Sequence, residues 1–216
     1  MDIVLYARNI LTRDKRLTQA MTSIGFTVRI YDNFRTKGVL GKIEKYAMSE
    51  EMGKCNAFGL AFLSHGHENG DLATFDGMTN VKTVIGQVKG STLLAGKPKL
   101  FFFQGQFLIL IHLFQISISA CRGNTYMDAQ VTQVAVRPDD RPLTWPKEAD
   151  IICLFATVEG YFSYRNPVDG SWLVLNLCHQ INQWLENYEK NKTDLEFHHL
   201  LIRVNAAIGK FQTQAS

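Results

Sequence analysis

One segment of the chain, residues 57–64, is almost continuously apolar and ends directly before His65. A strand with one face in water alternates apolar and polar side chains, whereas an unbroken apolar run is typical of a strand buried on both faces of a parallel sheet. Similar short runs alternate along the chain with segments whose apolar residues recur at helical spacing. This alternation predicts an α/β fold with a mostly parallel central sheet.

The same patterns predict where the individual elements lie. Strands are predicted at residues 2–6, 26–31, 57–64, 99–103 and 150–156. Helices are predicted at residues 14–24, 39–48, 81–88, 171–188 and 194–211. Ligands of open α/β sheets bind beyond the carboxyl ends of the strands, and His65 and Cys121 both follow strand-like runs. Both side chains are therefore candidates for one functional site.

Composition limits the partners and the compartment. The 216 residues are 46% hydrophobic and 20% charged, which suits one globular core and a single domain. The net charge of +3 is small, and no basic run is interleaved with aromatics, so we predict no nucleic-acid partner. The N-terminus does not resemble a signal peptide, and the cysteines are far apart without a C-x-x-C pair: Cys55, Cys121, Cys153 and Cys178. These features predict a reduced, cytoplasmic protein.

One stretch invites a membrane interpretation. Residues 100–118 are 19 positions without a formal charge, which is close to the length of a membrane span. The stretch also contains polar side chains that are costly in hydrocarbon, namely Gln104, Gln106, His112 and Gln115. We therefore predict no membrane association and interpret the stretch as a buried strand, KLFFFQ, joined to a separate apolar segment, residues 105–119.

Residues 105–119 divide a motif. Without them, KPKLFFFQ and ACRG would join as KPKLFFFQACRG, which resembles the active-site signature of the caspase family of aspartate-directed cysteine peptidases. Upstream, FLSHGHENG at residues 62–70 resembles the family stretch that carries the catalytic histidine. Downstream, residues 148–178 resemble the start of the caspase small subunit. Together with the segments between these blocks, the resemblance covers residues 18–211.

The resemblance implies the organisation of the chain. We expect one catalytic domain with a three-layer α/β/α fold. Residues 1–123 resemble the large subunit, residues 124–149 the linker between subunits, and residues 150–216 a small subunit that stops before the family's final strand. Caspase zymogens are cut after aspartate in this linker, which here is rich in proline and so is expected to be exposed. Asp128, followed by Ala129, is the expected processing site, and Asp140 is the alternative.

The resemblance also implies catalytic roles. Cys121 is expected to be the nucleophile, since a thiolate attacks carbonyl carbon readily. His65 is expected to transfer protons, and the backbone N–H groups of Gly66 and Cys121 are expected to bind the oxyanion. The pair His65 and His67 also invites a metal interpretation, but no further ligands stand at zinc-site spacing. We therefore predict no metal and no cofactor.

Recognition of aspartate requires donors that replace the hydration of a carboxylate, and arginine supplies them best. Arg165 and Gln104 correspond to two residues of the family's aspartate pocket. The family's second pocket arginine stands in an R-x-G-T context that this chain lacks near its N-terminus. Three further residues correspond to those that hold the substrate backbone and the side chain beside the aspartate: Phe162, Ser163 and Tyr164.

Two functions remain open. The first is a cysteine endopeptidase that cleaves proteins after aspartate in apoptosis, and the presence of His65 and Cys121 favours it. The second is a catalytically inactive homologue that binds and modulates an active caspase, and the segment at residues 105–119 favours it. The resemblance implies protein substrates with an exposed aspartate and another caspase chain in a homo- or heterodimer. It also allows regulators of the inhibitor-of-apoptosis type.

The segment at residues 105–119 has two explanations. Its fifteen residues keep the reading frame, and Gly105 and Ser119 admit codons with splice-site sequences, which indicates an unspliced intron. The alternative is a genuine loop insertion. Unpatterned apolar residues are unusual in a solvent-facing loop, so the intron is favoured.

Overall fold

The structure is a computed structural model that describes ten stretches of the chain. These are residues 2–7, 15–67, 70–104, 117–118, 129–131, 144–146, 150–156, 165–166, 170–192 and 196–214. Side-chain environments are described for residues 15–67, 70–104, 150–156, 171–192 and 196–208.

Twelve strands are present in the described stretches. They are β1 (Asp2–Ala7), β2 (Thr27–Asp32), β3 (Phe58–Leu63), β4 (Asp71–Ala73), β5 (Met78–Asn80), β6 (Lys99–Gln104), β7 (Ser117–Ile118), β8 (Ala129–Val131), β9 (Thr144–Pro146), β10 (Ile151–Phe155), β11 (Arg165–Asn166) and β12 (Gly170–Ser171). Six of them form a central sheet in the order β2-β1-β3-β6-β10-β7. The first five are parallel to one another, and β7 pairs with β10 in the antiparallel sense. The other strands form the two-stranded pairs β4-β5, β8-β9 and β11-β12.

Helices cover both faces of the central sheet. They are α1 (Lys15–Ser23), α2 (Thr36–Ala47), α3 (Glu50–Lys54), α4 (Val81–Lys89), α5 (Trp172–Asn191) and α6 (Phe197–Gln214), with a short 3-10 helix at Thr92–Leu94. One hydrophobic cluster packs α1, α5 and α6 against one face of the sheet. A second cluster packs α2, α3 and α4 against the other face. The predicted three-layer α/β/α fold is therefore confirmed.

The central strands explain why the sheet lies between two helical layers. Every residue of β3 and of β6 is buried. Side chains alternate between the two faces along a strand, so Ala61 and Phe102 lie in the cluster with α5 while Phe62 and Phe103 lie in the cluster with α2. The prediction that residues 57–64 form a strand buried on both faces is confirmed.

Several elements differ from the predicted pattern, among them helix α2 and the β4-β5 hairpin. Helix α2 begins at Thr36, three residues before the predicted start, because its first turn contains Gly38 and little apolar signal. The β4-β5 hairpin was not predicted, since its strands have only three residues each. Such short strands are stabilised by their surroundings more than by their own sequence.

The β4-β5 hairpin docks on the start of α2. The Thr36 N–H donates to Asp76 Oδ1 over 2.8 Å, and the hydroxyl groups of Thr36 and Thr74 are 2.6 Å apart. The Phe75 N–H donates to the Phe34 carbonyl over 3.2 Å. The bond from the Thr36 backbone lowers the pKa of Asp76. Asp76 therefore caps α2, whose own N-cap residue, Arg35, makes no side-chain capping bond.

Two helical glycines provide a first prediction. A Cβ added at Gly41 or at Gly86 would meet no atom within 4 Å. Glycine inside a helix costs about 0.5–1 kcal/mol relative to alanine. Gly41→Ala and Gly86→Ala should therefore each raise the free energy of unfolding by about that amount in urea denaturation. Gly25→Ala is the matched control and should lower it, because Gly25 has a φ of 90°.

Candidate active site

His65 lies directly beyond the carboxyl end of β3, and its side chain is exposed. The hairpin holds the backbone around it: the Ala73 N–H donates to the His65 carbonyl over 2.8 Å, and the His67 N–H donates to the Asp71 carbonyl over 2.8 Å. Gly66 forms an isolated bridge with Leu72. The loop at residues 65–67 is thus fixed by main-chain bonds while the imidazole of His65 stays accessible.

Gln104 ends the neighbouring strand, β6, and is only 8% exposed. It pairs in register with Leu63, and its carbonyl accepts a bond from the Ser64 N–H over 3.0 Å. Because β3 and β6 are parallel, both strands end at the same edge of the sheet. Gln104 and His65 therefore share this edge, where sites form in open α/β sheets.

Ser171 connects Gln104 to the start of α5. Its hydroxyl donates to Gln104 Oε1. The Ser171 Oγ atom also accepts a bond of 3.4 Å from the Val174 N–H and so caps α5. Both Ser171 and Gln104 are buried. Since Oε1 accepts this bond, the donor group of the amide, Nε2, lies on the other side of the side chain. Ser171 thus orients the Gln104 amide.

Sequence reasoning identified Ser171 only as a helix start. The Gly-Ser-Trp pattern indicates a cap, which the structure has. The contact with Gln104 spans 67 positions of the chain and depends on which strand end lies beside α5. No local pattern could have indicated it.

Backbone pairing places Arg165 near Ser171 and Gln104. Strand β11 pairs with β12 so that Arg165 stands opposite Ser171. The structure therefore brings together Arg165, Ser171 and Gln104 at the backbone level. The other predicted residues, Cys121, Phe162, Ser163, Tyr164 and Asp128, lie outside the described residues.

Another cysteine, Cys153 on β10, lies among the buried side chains of the core. Burial raises the pKa of its thiol to about 12, although the charge of Lys89 acts in the opposite direction. A thiol with this pKa is almost fully protonated near pH 7 and is a poor nucleophile. Cys153 is therefore a core residue and not a candidate for catalysis.

Metal and membrane sites were the other interpretations of the sequence. In the part of the chain with described side chains, no three His, Cys, Asp or Glu residues are grouped so that they could hold a metal ion. None of the described helices is long and apolar enough to cross a membrane.

The fold and the site define a class of protein. It is an α/β protein with a parallel sheet between two helical layers and a polar site at the carboxyl edge, formed by an exposed histidine and a buried, oriented amide. A sequence model of the caspase domain, peptidase family C14, matches residues 12–216. The chain belongs to the caspase family, as its motifs predicted.

Individual relatives agree with this assignment. Caspase-6 of Gallus gallus is 30% identical over 215 residues, which cover 93% of this chain and 63% of the relative. Caspase-3 of Xenopus laevis is 29% identical over 176 residues, covering 81% of this chain and 57% of the relative. Caspase-7 of Gallus gallus is 31% identical over 208 residues, covering 92% and 60%. The chain therefore spans between 57% and 63% of the length of these relatives.

Proposed function

We propose that this chain is a cysteine endopeptidase that cleaves proteins after aspartate and acts in apoptosis. Membership of the caspase family supports the cysteine peptidase class. The observation that carries the proposal is the shared sheet edge: exposed His65 and buried Gln104 both follow or end strands there, and Ser171 orients the Gln104 amide.

The proposed mechanism uses Cys121 as nucleophile. Its thiolate attacks the carbonyl carbon of the scissile bond, and the carbonyl oxygen becomes an oxyanion held by the N–H groups of Gly66 and Cys121. His65 then gives a proton to the leaving amine as the C–N bond breaks, which leaves an acyl-enzyme. Water, deprotonated by His65, then hydrolyses the thioester, which releases the acid product and restores the thiolate and the protonated His65. Exposure of His65 supports this role, because the imidazole must reach both the substrate and water.

The proposed aspartate pocket combines Gln104 and Arg165. A carboxylate that enters a buried pocket loses hydration and needs hydrogen-bond donors in return. The hydrogen bond from Ser171 directs Gln104 Oε1 toward Ser171, so that this acceptor is not proposed to face the carboxylate, which it would repel. The guanidinium of Arg165 supplies the charge. The residues proposed to contact the substrate backbone and the adjoining side chain are Phe162, Ser163 and Tyr164.

Regulation and partners follow from the same proposal. The protein is proposed to be a cytoplasmic zymogen that is cut at Asp128 and pairs with another caspase chain, as a homo- or heterodimer. Its substrates are proteins with an exposed aspartate. Inhibitor-of-apoptosis-type proteins are the proposed regulators. The similarity to caspase-6, caspase-3 and caspase-7 supports this group of properties.

The pocket proposal is tested with matched substrates. Two peptides that differ only in Asp or Asn before the scissile bond should differ at least about a hundredfold in kcat/KM, because only the carboxylate pairs with arginine. Both the full chain and a form without residues 105–119 should be assayed. Arg165→Ala should remove most of this discrimination, whereas Arg203→Ala, an exposed arginine on α6, should preserve it. Equal cleavage of the two peptides would exclude aspartate specificity.

A further inference from the structure

Helices α2 and α4 pack side by side over one face of the sheet and present mainly positive charge. Four lysines are exposed on them, and they share this surface with one exposed acidic residue, Glu44: the lysines are Lys37, Lys42, Lys45 and Lys82. The exposed charges of this helix pair sum to +3, which equals the net charge of the whole chain. Positive charge therefore predominates on this helix pair.

Exposed apolar side chains lie at both ends of the same surface. Phe75 and Met78 belong to the hairpin that docks on the start of α2, and they are 54% and 46% exposed. Met48 follows the end of α2 and is 46% exposed. These are three of the six exposed large apolar side chains in the described part of the chain. Helix α2 has 12 residues, so the two apolar ends are separated by about 18 Å.

Two exposed glycines lie in the middle of the surface, at positions where a side chain would fit. Gly41 on α2 and Gly86 on α4 are exposed, and a Cβ at either position would meet nothing within 4 Å. Neither glycine is required by the packing of this chain, and each weakens its helix. Their absent side chains allow another backbone to approach closely between the lysines.

The hairpin adds little to the charge of the surface. Asp76 lies between Phe75 and Met78, but its carboxylate accepts bonds from the N–H and the hydroxyl of Thr36. Exposed Arg35 lies close enough to lower the pKa of Asp76 and offsets its charge.

At the other end, Glu50 and Glu51 of α3 are exposed, but Glu51 pairs with Arg29 over 2.8 Å and Lys54 is exposed on the same helix. The lysines therefore determine the sign of the field over the middle of the surface.

We propose that this surface, formed by Lys37, Lys42, Lys45 and Lys82 with Phe75 and Met78 at one end and Met48 at the other, docks an acidic segment of a partner protein. Aspartate or glutamate side chains of that segment would face the lysines, and apolar side chains at its two ends would cover the exposed phenylalanine and methionines. Apolar anchors favour a protein partner over nucleic acid, because a phosphate backbone gains nothing from them. The inference does not rest on the proposed function, since docking requires neither Cys121 nor His65.

The test uses the full chain and a fluorescent peptide of about 20 residues, with glutamates in the middle and leucine and phenylalanine at its ends; fluorescence anisotropy reports its Kd. The double variant Lys37→Glu/Lys45→Glu should bind at least about tenfold more weakly. The matched control, Lys190→Glu/Arg203→Glu, reverses two exposed charges on α5 and α6, on the other face of the sheet, and should change Kd less than about twofold.

A second set of variants tests the apolar end formed by the hairpin. Phe75→Ser/Met78→Ser should weaken peptide binding at least about tenfold, while Ile202→Ser, which replaces an exposed apolar residue on α6, should not. Urea denaturation of each variant checks that the fold is kept. Equal weakening by both charge-reversal pairs would overturn the proposal. So would an absence of binding at low salt, or tighter binding of a duplex RNA or of phosphatidylserine vesicles than of the peptide.

Discussion

Removal of residues 105–119 should raise turnover of a fluorogenic peptide ending in aspartate by at least about a hundredfold. The nucleophile must be placed relative to the pocket to within about 1 Å, and a larger error costs on the order of a hundredfold in rate. In the longer chain, sixteen residues separate Gln104 from Cys121, whereas in the shorter one only Ala120 does. The N–H of Cys121 is also proposed to bind the oxyanion, so its displacement would affect two catalytic contributions at once.

The two forms should be purified as a matched pair and compared by kcat/KM with the same peptide. Cys121→Ala in the shorter form should abolish the gain. Labelling with iodoacetamide at neutral pH gives a second measurement when it is compared with the Cys121→Ala variant. Buried Cys153, with its pKa raised to about 12, should not react, whereas partly buried Cys55 should contribute equally in both proteins. Equal turnover of both forms would show that the segment is tolerated. Inactivity of both would favour the alternative function, a silent homologue that modulates an active caspase.

The second large effect is expected at the histidine. His65→Ala should lower kcat by about 10²–10⁴-fold in the shorter form, since proton transfer to the leaving amine typically contributes this much. KM should change little, because the pocket residues are unaltered. The control is His67→Ala, which removes another exposed histidine on the same loop and should leave kcat nearly unchanged. Comparable losses in both variants would point to a disturbed loop and contradict a specific role for His65.

The sheet could be predicted because the apolar residues of its central strands indicate that these strands are buried. Strands β3 and β6 are apolar throughout and are buried throughout. The hairpin β4-β5 lacks such a signal, since its position depends on bonds from Thr36 to Asp76 and between the hydroxyl groups of Thr36 and Thr74. These contacts join residues about forty positions apart, and a pattern within one window cannot contain them.

The candidate site was predictable to a similar extent. Motifs identified His65 and Gln104, and the parallel pairing of β3 and β6 explains why their positions at strand ends put them on one edge. The orientation of the Gln104 amide could not be predicted, because it depends on Ser171, which lies 67 positions later in the chain. Motifs thus predict which residues belong to a site, whereas their hydrogen-bond polarity comes from tertiary contacts.

Strand β7 gives part of the segment at residues 105–119 a structural role in the central sheet. Ser117 and Ile118 belong to that segment, yet they stand opposite Cys153 and Ile152 in the antiparallel pairing with β10. Excision of the segment would remove this partner and leave one side of β10 open to a strand from another molecule. Strand β7 is the last strand in the sheet order, so its loss would make β10 the edge strand. If the segment is a retained intron, RNA processing would therefore change which backbone groups this edge of the sheet offers to another strand.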